Sequence, residues 1–270
     1  MKKFELTSEF VTNIFGTKLF RIKALIAFGN VEAGELGGYI EKEENLSQDG
    51  NAWVCGNAWV YGDAWVYEDA KVYGDAKVCG NAWVYGDAKV YGDAWVYGNA
   101  EVYEDAEVYG NAKVYGDAKV YEDAKVCRNA WVYGDAWVCG DAKVYGDAKV
   151  YGDAWVYGNA EVYRDAEVYG DAKVYGDAKV YGNAKVCGDA EVYGNADYAT
   201  IHGFGSCYRT TTFFRDKDGG VSVRCGCFYG DLNEFREQVK NTRSGKISEE
   251  YLMIADLMEL HFRKEGESDV

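Results

Sequence analysis

The stretch from Gly140 to Tyr163 reads GDAKVY-GDAKVY-GDAWVY-GNAEVY, which is four versions of one six-residue unit. The same unit repeats without a break from Gly50 to Tyr193 and makes 24 hexads. Every hexad has Asp or Asn second, Ala third, Val fifth and Tyr or Cys last, and 19 of the 24 begin with Gly. A repeat of this regularity takes precedence over the one or two ordinary domains that 270 residues would otherwise suggest.

Each hexad predicts one short strand followed by one turn. Ala and Val stand two residues apart, so on a strand they face the same side, while the residue between them faces outward. Gly accepts a positive φ, and Asp or Asn hydrogen-bonds its own backbone, so this pair suits a corner. A strand that buries one Ala and one Val cannot offset the entropy of its own ordering. The hexads must therefore stack on one another.

The hexad spacing resembles the left-handed β-helix of the hexapeptide-repeat family, in which three hexads form one triangular coil. The resemblance covers more than half of the chain. It implies an all-β solenoid, a left-handed parallel β-helix of about 8 triangular coils of 18 residues. With strands ~4.8 Å apart, the shaft would be roughly 35–40 Å long. The left-handed winding follows from the resemblance alone, because parallel strands otherwise connect in the right-handed sense.

Stacking in register turns each hexad position into columns along the shaft. Asp and Asn form three corner columns in which like charges repel. Asn at eight of the 24 corners and Lys at 11 outward positions are expected to relieve part of that repulsion. Tyr, just after Val, is expected to form three stacked aromatic edges.

All eight tryptophans occupy outward positions of the array. One face is predicted to read Trp59, Lys77, Trp95, Lys113, Trp131, Lys149, Glu167 and Lys185. Another face carries two adjacent pairs, Trp65 with Trp83 and Trp137 with Trp155. Two interpretations stay open for these indoles. They either stack between coils, with cation–π contacts to the lysines, or they form an exposed aromatic surface that binds a partner or a second protomer.

The two ends of the chain depart from the hexad pattern. A solenoid has open strand edges at both ends, which invite polymerisation unless they are covered. We therefore predict an N-terminal β cap over residues 1–49, the β-helix over 50–199 and an α+β cap over 200–270. In the second cap, 210–215 and 221–228 read as a hairpin around 216–220. Asp231 with Glu234 forms a capping box for one helix, and Ser248 opens a second.

The ends also resemble a group of hexapeptide-repeat proteins of unassigned function from bacteriophages and prophages. The stretches that carry this resemblance are MKKFELT at 1–7, AGELGGYIEKE at 33–43, TTTFFR at 210–215 and CGCF at 225–228. Together with the array they span nearly the whole chain. The resemblance implies a viral origin and leaves the activity open.

Signatures of catalysis are missing from the array. Many left-handed β-helix proteins are acyltransferases, and related carbonic anhydrases hold zinc with histidines between coils. The array contains no His, Ser or Thr, so it offers neither a general base nor a zinc ligand set of that kind. We therefore expect no enzyme activity and no cofactor. Cysteines without a pairing pattern and the lack of a ~20-residue apolar run favour a cytoplasmic protein without membrane contact.

The C-terminal cap holds the remaining candidates for ligand binding. Six residues form a locally basic, hydroxyl-containing group that suits a small phosphate-bearing ligand. They are His202, Arg209, Thr211, Arg215, Lys217 and Arg224. The alternative is that these are solvated hairpin residues. A zinc site from His202, Cys207, Cys225 and Cys227 is less favoured, because Cys-x-Cys on a strand simply places two small residues on one side.

The net charge of −16 makes nucleic acid an unlikely direct partner for the shaft. The sequence favours a non-enzymatic phage or prophage protein that acts in the cytoplasm of the infected or lysogenic host. As a counter-defence inhibitor or decoy, it would engage a host protein through its rigid acidic, aromatic shaft, much as some pentapeptide-repeat proteins mimic duplex DNA. Three alternatives stay open: sequestration of a small nucleotide signal by the C-terminal cap, acyl transfer, and a structural or assembly role. A homo-oligomer, trimer or dimer, is also open.

Overall fold

The computed structural model describes residues 1–205 and 208–263. It is a β-solenoid of about nine turns, with longer strands at its N-terminal end and a small α+β part at its C-terminal end. Neighbouring coils are parallel and 18 residues apart, as in the pairing of Trp131 with Lys149 and of Val132 with Val150. The predicted all-β solenoid with an end structure on each side is confirmed, and its left-handed winding stays a prediction.

Three longer strands precede the hexads: β1 (Phe4–Thr12), β2 (Lys18–Ala24) and β3 (Leu36–Ile40). β1 and β2 pair antiparallel, and so do β2 and β3. β3 then pairs in parallel with the strand of Trp59, and Leu46 forms a parallel bridge with Val66. The solenoid thus begins one turn before the first hexad, inside the segment 1–49 that the sequence predicts to be a cap.

Polar side chains satisfy the backbone at this first edge. Lys3 is only 2% exposed, and its Nζ donates to three backbone carbonyls between residues 49 and 52 at 3.0–3.3 Å. Desolvation lowers the pKa of Lys3 to about 8. Asn45 is fully buried and donates from Nδ2 to two carbonyls of the next coil at 2.8 and 3.0 Å. These acceptors are therefore occupied within the chain.

Each hexad of the array contributes one strand, which begins at the outward residue and includes the Val. Most of these strands are two residues long, since the Gly and the Asp or Asn that follow turn the chain at once. In chain order they are β4 (Trp53–Val54), β5 (Trp59–Val60), β6 (Trp65–Val66), β7 (Lys71–Val72), β8 (Lys77–Val78), β9 (Trp83–Val84), β10 (Lys89–Val90), β11 (Trp95–Val96), β12 (Glu101–Val102), β13 (Glu107–Gly110), β14 (Lys113–Val114), β15 (Lys119–Val120), β16 (Lys125–Arg128), β17 (Trp131–Gly134), β18 (Trp137–Val138), β19 (Lys143–Gly146), β20 (Lys149–Gly152), β21 (Trp155–Val156), β22 (Glu161–Arg164), β23 (Glu167–Tyr169), β24 (Lys173–Val174), β25 (Lys179–Val180), β26 (Lys185–Val186) and β27 (Glu191–Val192).

These strands form three parallel sheets, one on each side of the coil. The sheet β5-β8-β11-β14-β17-β20-β23-β26 continues into β3, β2 and β1, and we call it the alternating face because its outward residues from Trp59 to Lys149 alternate between Trp and Lys. The sheet from β6 to β27 is the paired-tryptophan face, which carries Trp65, Trp83, Trp137 and Trp155. The sheet from β4 to β25 is the lysine face, with Lys at five of its eight outward positions.

One continuous core runs along the inside of the shaft. Every Ala and every Val of the array is at most 1% exposed. The two residues stand in register with their counterparts 18 residues away, so each layer packs on an identical layer. Burial of this kind adds up layer by layer, which makes the stability of the shaft collective.

The corners require a left-handed backbone. The coils stack so closely that a Cβ on Gly116, at φ +76°, would lie 2.9 Å from the backbone nitrogen of Gly134. Five corners lack Gly and still have φ between 57° and 62°: Glu68, Glu104, Glu122, Arg128 and Arg164. A residue with a Cβ pays roughly 1–2 kcal/mol for this conformation. Those five corners are therefore strained relative to the glycine corners.

The described C-terminal part comprises four antiparallel strands and two helices: β28 (Tyr198–Phe204), β29 (Arg209–Arg215), β30 (Val221–Cys225), β31 (Phe228–Asp231), α1 (Leu232–Thr242) and α2 (Gly245–Phe262). β29 and β30 form the predicted hairpin. α1 begins with the predicted capping box of Asp231 and Glu234. α2 begins at Gly245 rather than at the predicted Ser248, because the extended Ser244 already serves as its N-cap.

This C-terminal sheet lies between the end of the shaft and the two helices. Phe214 of β29 belongs to the core of the shaft, whereas its neighbour Phe213 belongs to a second core with α1 and α2. Adjacent residues of a strand face opposite sides, so β29 closes both cores at once. Both phenylalanines are fully buried.

All three final strands of the shaft contact the cap. The carbonyl of Lys179 on β25 accepts a bond of 2.5 Å from the hydroxyl of Tyr198. The amide of Lys185 on β26 donates to a threonine hydroxyl of β29 at 2.9 Å. Ala190, just before β27, forms an antiparallel bridge with Asp216. Each face therefore ends on C-terminal residues rather than on an open edge.

Candidate functional site

The alternating face shows the predicted cation–π contacts. Nζ of Lys77 lies 4.8 Å from the ring centre of Trp59 and 4.7 Å from that of Trp95. Lys113 and Lys149 approach Trp131 from its two sides, at 4.7 and 5.8 Å. Trp131 is thus contacted by a lysine from each neighbouring coil, whereas Trp59 and Trp95 each contact one lysine and Trp95 stays 37% exposed. The contacts support the stacking interpretation here, and a binding role for Trp59, Trp95 and Trp131 stays a prediction.

The paired-tryptophan face leaves more of its indoles accessible. Trp65 and Trp83 are 39% and 43% exposed and meet edge to face, with ring centres 6.2 Å apart. Trp137 and Trp155 stack at 4.7 Å. A shallow groove of about 590 Å³ beside the first pair is also lined by residues of the 42–48 turn and by Asp63. The structure brings each predicted pair together, and whether the pairs bind a partner stays a prediction.

The tyrosines form the predicted stacked edges. Rings one coil apart, such as Tyr67 with Tyr85 and Tyr85 with Tyr103, lie 4.8 and 4.9 Å apart and within 8° of parallel. Desolvation is the main cause that raises the pKa of Tyr67 and Tyr103 to about 12. The cysteines that interrupt the columns are buried or partly buried, and burial raises the pKa of Cys79 and Cys139. The columns therefore stabilise the shaft and contain no activated thiol at those two positions.

The five outward glutamates of the array are all paired. Each lies within 3.5 Å of a lysine one coil away: Glu101 with Lys119, Glu107 with Lys89, Glu161 with Lys179, Glu167 with Lys185 and Glu191 with Lys173. Each also accepts a bond from a tyrosine hydroxyl of the preceding coil, at 2.8–3.5 Å. The glutamates of the three faces are therefore neutralised locally.

The corner columns are only partly neutralised. Each Asn that has an Asp or Asn one coil ahead donates its Nδ2 to it, as Asn99 does to Asp117 at 2.9 Å, so the predicted relief of repulsion by Asn is present. Nine aspartates have neither a hydrogen bond nor an ion pair from a side chain of the described residues. They are Asp87, Asp93, Asp105, Asp123, Asp135, Asp141, Asp153, Asp165 and Asp171.

One corner concentrates these unpaired carboxylates. Between the paired-tryptophan face and the lysine face, Asp87, Asp105, Asp123 and Asp141 follow one another on four successive coils. Glu104 and Glu122 occupy strained glycine positions of the same corner. We call these six residues the acidic corner. Because coils repeat every ~4.8 Å, its charges stand in a straight and rigid row.

The basic group predicted in the C-terminal cap is divided by the structure. Arg215 pairs with Asp197 at 3.2 Å and donates to the carbonyl of Phe262 at 2.6 Å. Lys217 pairs with Asp189 of the last coil at 3.1 Å. These two side chains hold the cap on the shaft and hold α2 on the sheet. Their predicted role in ligand binding is untested, but their charges are already compensated.

The other four predicted residues lie in different surroundings. The buried hydroxyl of Thr211 donates to Sγ of Cys225 at 3.1 Å. His202 is exposed and its Nδ1 lies 3.2 Å from Oγ1 of Thr210. Nε of Arg224 is buried and has no hydrogen-bond partner among residues 1–205 and 208–263. Arg209, at the far end of β29, is roughly 20 Å along the strand from Arg215, since a strand rises ~3.3 Å per residue.

Arg209 instead lines a cavity of about 130 Å³ together with residues that the sequence analysis missed. Arg243 from the end of α1 and Tyr251 from α2 are among them. No local motif marks these residues, because they are more than 30 positions away from Arg209 in the chain. Only the packing of α1 and α2 on the sheet brings them together.

No group of three or more His, Cys, Asp or Glu within 1–205 and 208–263 is arranged to hold a metal ion. Cys207 of the less favoured zinc set lies outside the described residues, so that set is tested only in part. Within the same ranges, no helix is long and apolar enough to span a membrane.

In comparisons with known proteins, no protein family and no curated protein matches this chain. The resemblance to hexapeptide-repeat proteins therefore depends on the hexads and on the stacked parallel coils, which are compatible with that type of β-helix. The resemblance of the two ends to phage and prophage proteins stays a prediction.

Proposed function

We propose that this chain is a non-enzymatic binding protein of phage or prophage origin that engages a basic host protein in the cytoplasm. It would act there as a counter-defence inhibitor or decoy. The observation that carries the proposal is the row of four aspartates at the acidic corner that have no side-chain partner among the described residues, held on a rigid shaft beside exposed indoles. Such a surface offers charge and apolar contact area without any conformational cost of ordering.

Charge density supports a partner that normally binds a polyanion. The array carries 24 carboxylates along roughly 40 Å, or one per ~1.7 Å, and duplex DNA carries one charge per ~1.7 Å. Eleven lysines and two arginines lower the net charge of the array to −11, about half that of such a duplex. All eleven lysines lie on the faces, and eight of them contact a glutamate or an indole there. The uncompensated charge is consequently concentrated at the corners.

The direct test is to neutralise the acidic corner without disturbing the coil. A quadruple variant with Asp87, Asp105, Asp123 and Asp141 each replaced by Asn suits this purpose, because Asn already occupies eight corners of the array. In seven of those corners its amide donates to the next coil, so the variant should fold at least as well as the parent. The matched control replaces Glu101, Glu107, Glu161 and Glu191 by Gln, which makes the same change in net charge at carboxylates that are already paired.

Each protein is immobilised and exposed to a bacterial lysate, and bound proteins are eluted with a salt gradient. We expect the parent and the control to retain the same basic protein, which elutes as salt screens the attraction. The quadruple Asn variant should bind that purified protein at least tenfold more weakly in a titration. Equal affinity for the quadruple variant, or elution that does not depend on salt, would overturn the proposal.

A further inference from the structure

The cavity of about 130 Å³ in the C-terminal cap is a second candidate site, separate from the shaft. It lies where β30 and β31 meet the end of α1, and Tyr251 of α2 forms one side. Phe228 and Phe235 contribute apolar walls. An engineered cavity of about 150 Å³ binds benzene, so one ring fits a space of this size, with a charged substituent at its exposed arginines.

The cavity is positively charged. Arg209 and Arg243 both line it, and the residues around it include no Asp or Glu. Burial raises the pKa of Tyr251, while both arginines counteract that rise, so both guanidinium groups act on the same hydroxyl. Two positive charges that line one cavity without a carboxylate repel each other, and a bound anion would reduce that repulsion.

These two arginines differ from four other basic residues of the cap. Arg215, Lys217, Arg236 and Lys246 each have a carboxylate within 3.4 Å. Arg243 bonds only the carbonyl of Thr242, at 3.2 Å, and Arg209 has no ion pair within the described ranges. A guanidinium carries five N–H donors, so most donors of both side chains stay available.

Two glycines make room for these polar groups. A Cβ on Gly226, at φ +62°, would lie 2.4 Å from a terminal nitrogen of Arg209. A Cβ on Gly205, at φ +71°, would lie 2.4 Å from the hydroxyl of Tyr251. The backbone on both sides of the cavity thus allows the arginine and the tyrosine to approach closely. Neither contact would survive a larger residue without rearrangement.

From this geometry we infer that the cavity binds a small molecule that carries one oxyanion, a phosphate ester or a carboxylate, on a ring-sized apolar body. The oxyanion lies between Arg209 and Arg243, where planar guanidinium groups offer paired donors. The ring packs against Phe228 and Phe235. This site is independent of the proposed function of the shaft. Arg209 is the only member of the basic group predicted from the sequence that takes part in it.

Cys227 provides a local readout, because its exposed thiol lines the same cavity. Phenyl phosphate serves as the probe, and alkylation of Cys227 by iodoacetamide is followed by peptide mass spectrometry. We expect the probe to slow alkylation at least fivefold at saturation, and phenol at the same concentration to have little effect. No slowing by phenyl phosphate, or equal slowing by phenol, would overturn the assignment of an anion site.

Arg209→Gln and Arg243→Gln test the two arginines one at a time, with Lys240→Gln as the control for loss of one positive charge on the exposed side of α1. The rate of Cys227 alkylation is compared with and without probe within each variant. A change in the intrinsic reactivity of the thiol then does not affect the comparison. Each arginine variant should need about tenfold more probe, as expected for the loss of a charge-assisted hydrogen bond. Lys240→Gln should behave like the parent, and the same probe requirement in all three variants would refute the proposed arrangement.

Discussion

The shaft and the C-terminal cap are built on opposite principles. In the shaft, many contacts of side chains recur 18 residues later, as the tyrosine stacks and the bonds from Asn81 to Asn99 and from Asn99 to Asp117 do. In the cap, contacts such as that of Arg215 with Phe262 occur once and join positions 47 residues apart. Uncompensated charge in the shaft therefore belongs to whole columns of residues. In the cap it belongs to single residues.

The largest effect is expected inside the shaft. Val126→Asp places a carboxylate in a core where Val126 is fully buried between identical layers, and we expect a loss of more than about 4 kcal/mol in the free energy of unfolding. Lys125→Asp, one residue away but outward, should change it by less than about 1 kcal/mol. Urea unfolding followed by circular dichroism measures both.

Amide hydrogen exchange of Val126→Asp tests whether the cap and the shaft unfold separately. Because α1 and α2 pack in a core of their own, their amides should stay protected when Val126→Asp loosens the middle of the shaft. Parallel loss of protection in both regions would show that the cap and the shaft unfold as one unit.

A smaller loss of stability is expected where the C-terminal cap contacts the end of the shaft. Arg215→Ala removes the ion pair with Asp197 and the bond to Phe262, and should cost about 1–3 kcal/mol with faster exchange at the end of α2. Arg209→Ala, on the same strand, should cost less than about 0.5 kcal/mol because that exposed side chain forms no ion pair in the described chain. Equal losses would mean that the junction does not depend on Arg215.

The tyrosine columns predict an alkaline limit to stability. Burial raises the pKa of Tyr67 and Tyr103 to about 12, and an unfolded tyrosine has a pKa of about 10. The folded state therefore keeps its tyrosine protons to a higher pH than the unfolded state does. The contribution of these tyrosines to the free energy of unfolding is complete below pH 10 and is lost as the pH rises through 12. Phenolate absorbance should appear at higher pH in the native protein than in urea. Coincident titration curves would contradict the buried columns.

The smallest change in stability is expected at a single corner of the shaft. Arg164→Gly relieves a positive φ of 62° and should stabilise the protein by up to about 1 kcal/mol. Gly182→Ala, one coil further on the same corner at φ +68° with no atom near the added Cβ, should destabilise it by about 1 kcal/mol. Thermal unfolding compares the two, and the same sign for both changes would exclude backbone strain as the cause.

The hexads alone determined which residues face inward, which columns form and which tryptophans are neighbours, because a strand alternates its sides and a repeat of 18 residues leaves one register. They also predicted the paired corners of Asn and Asp. The extra first turn was not visible, since residues 36–48 build a coil without the hexad pattern and satisfy its edge with Lys3 and Asn45.

In the cap, composition predicted one basic group, and only the tertiary structure decided which of its charges are compensated. Arg215 and Lys217 pair with Asp197 and Asp189, while Arg209 of the sheet and Arg243 at the end of α1 line one cavity. The physical reason is the sequence separation of the contacting residues. In the shaft, contacts join residues at a constant spacing along the chain. In the cap, contacts between a hairpin and two helices depend on how separate elements pack. The sequence therefore determined the shaft almost completely, and the packing of the cap alone created its cavity.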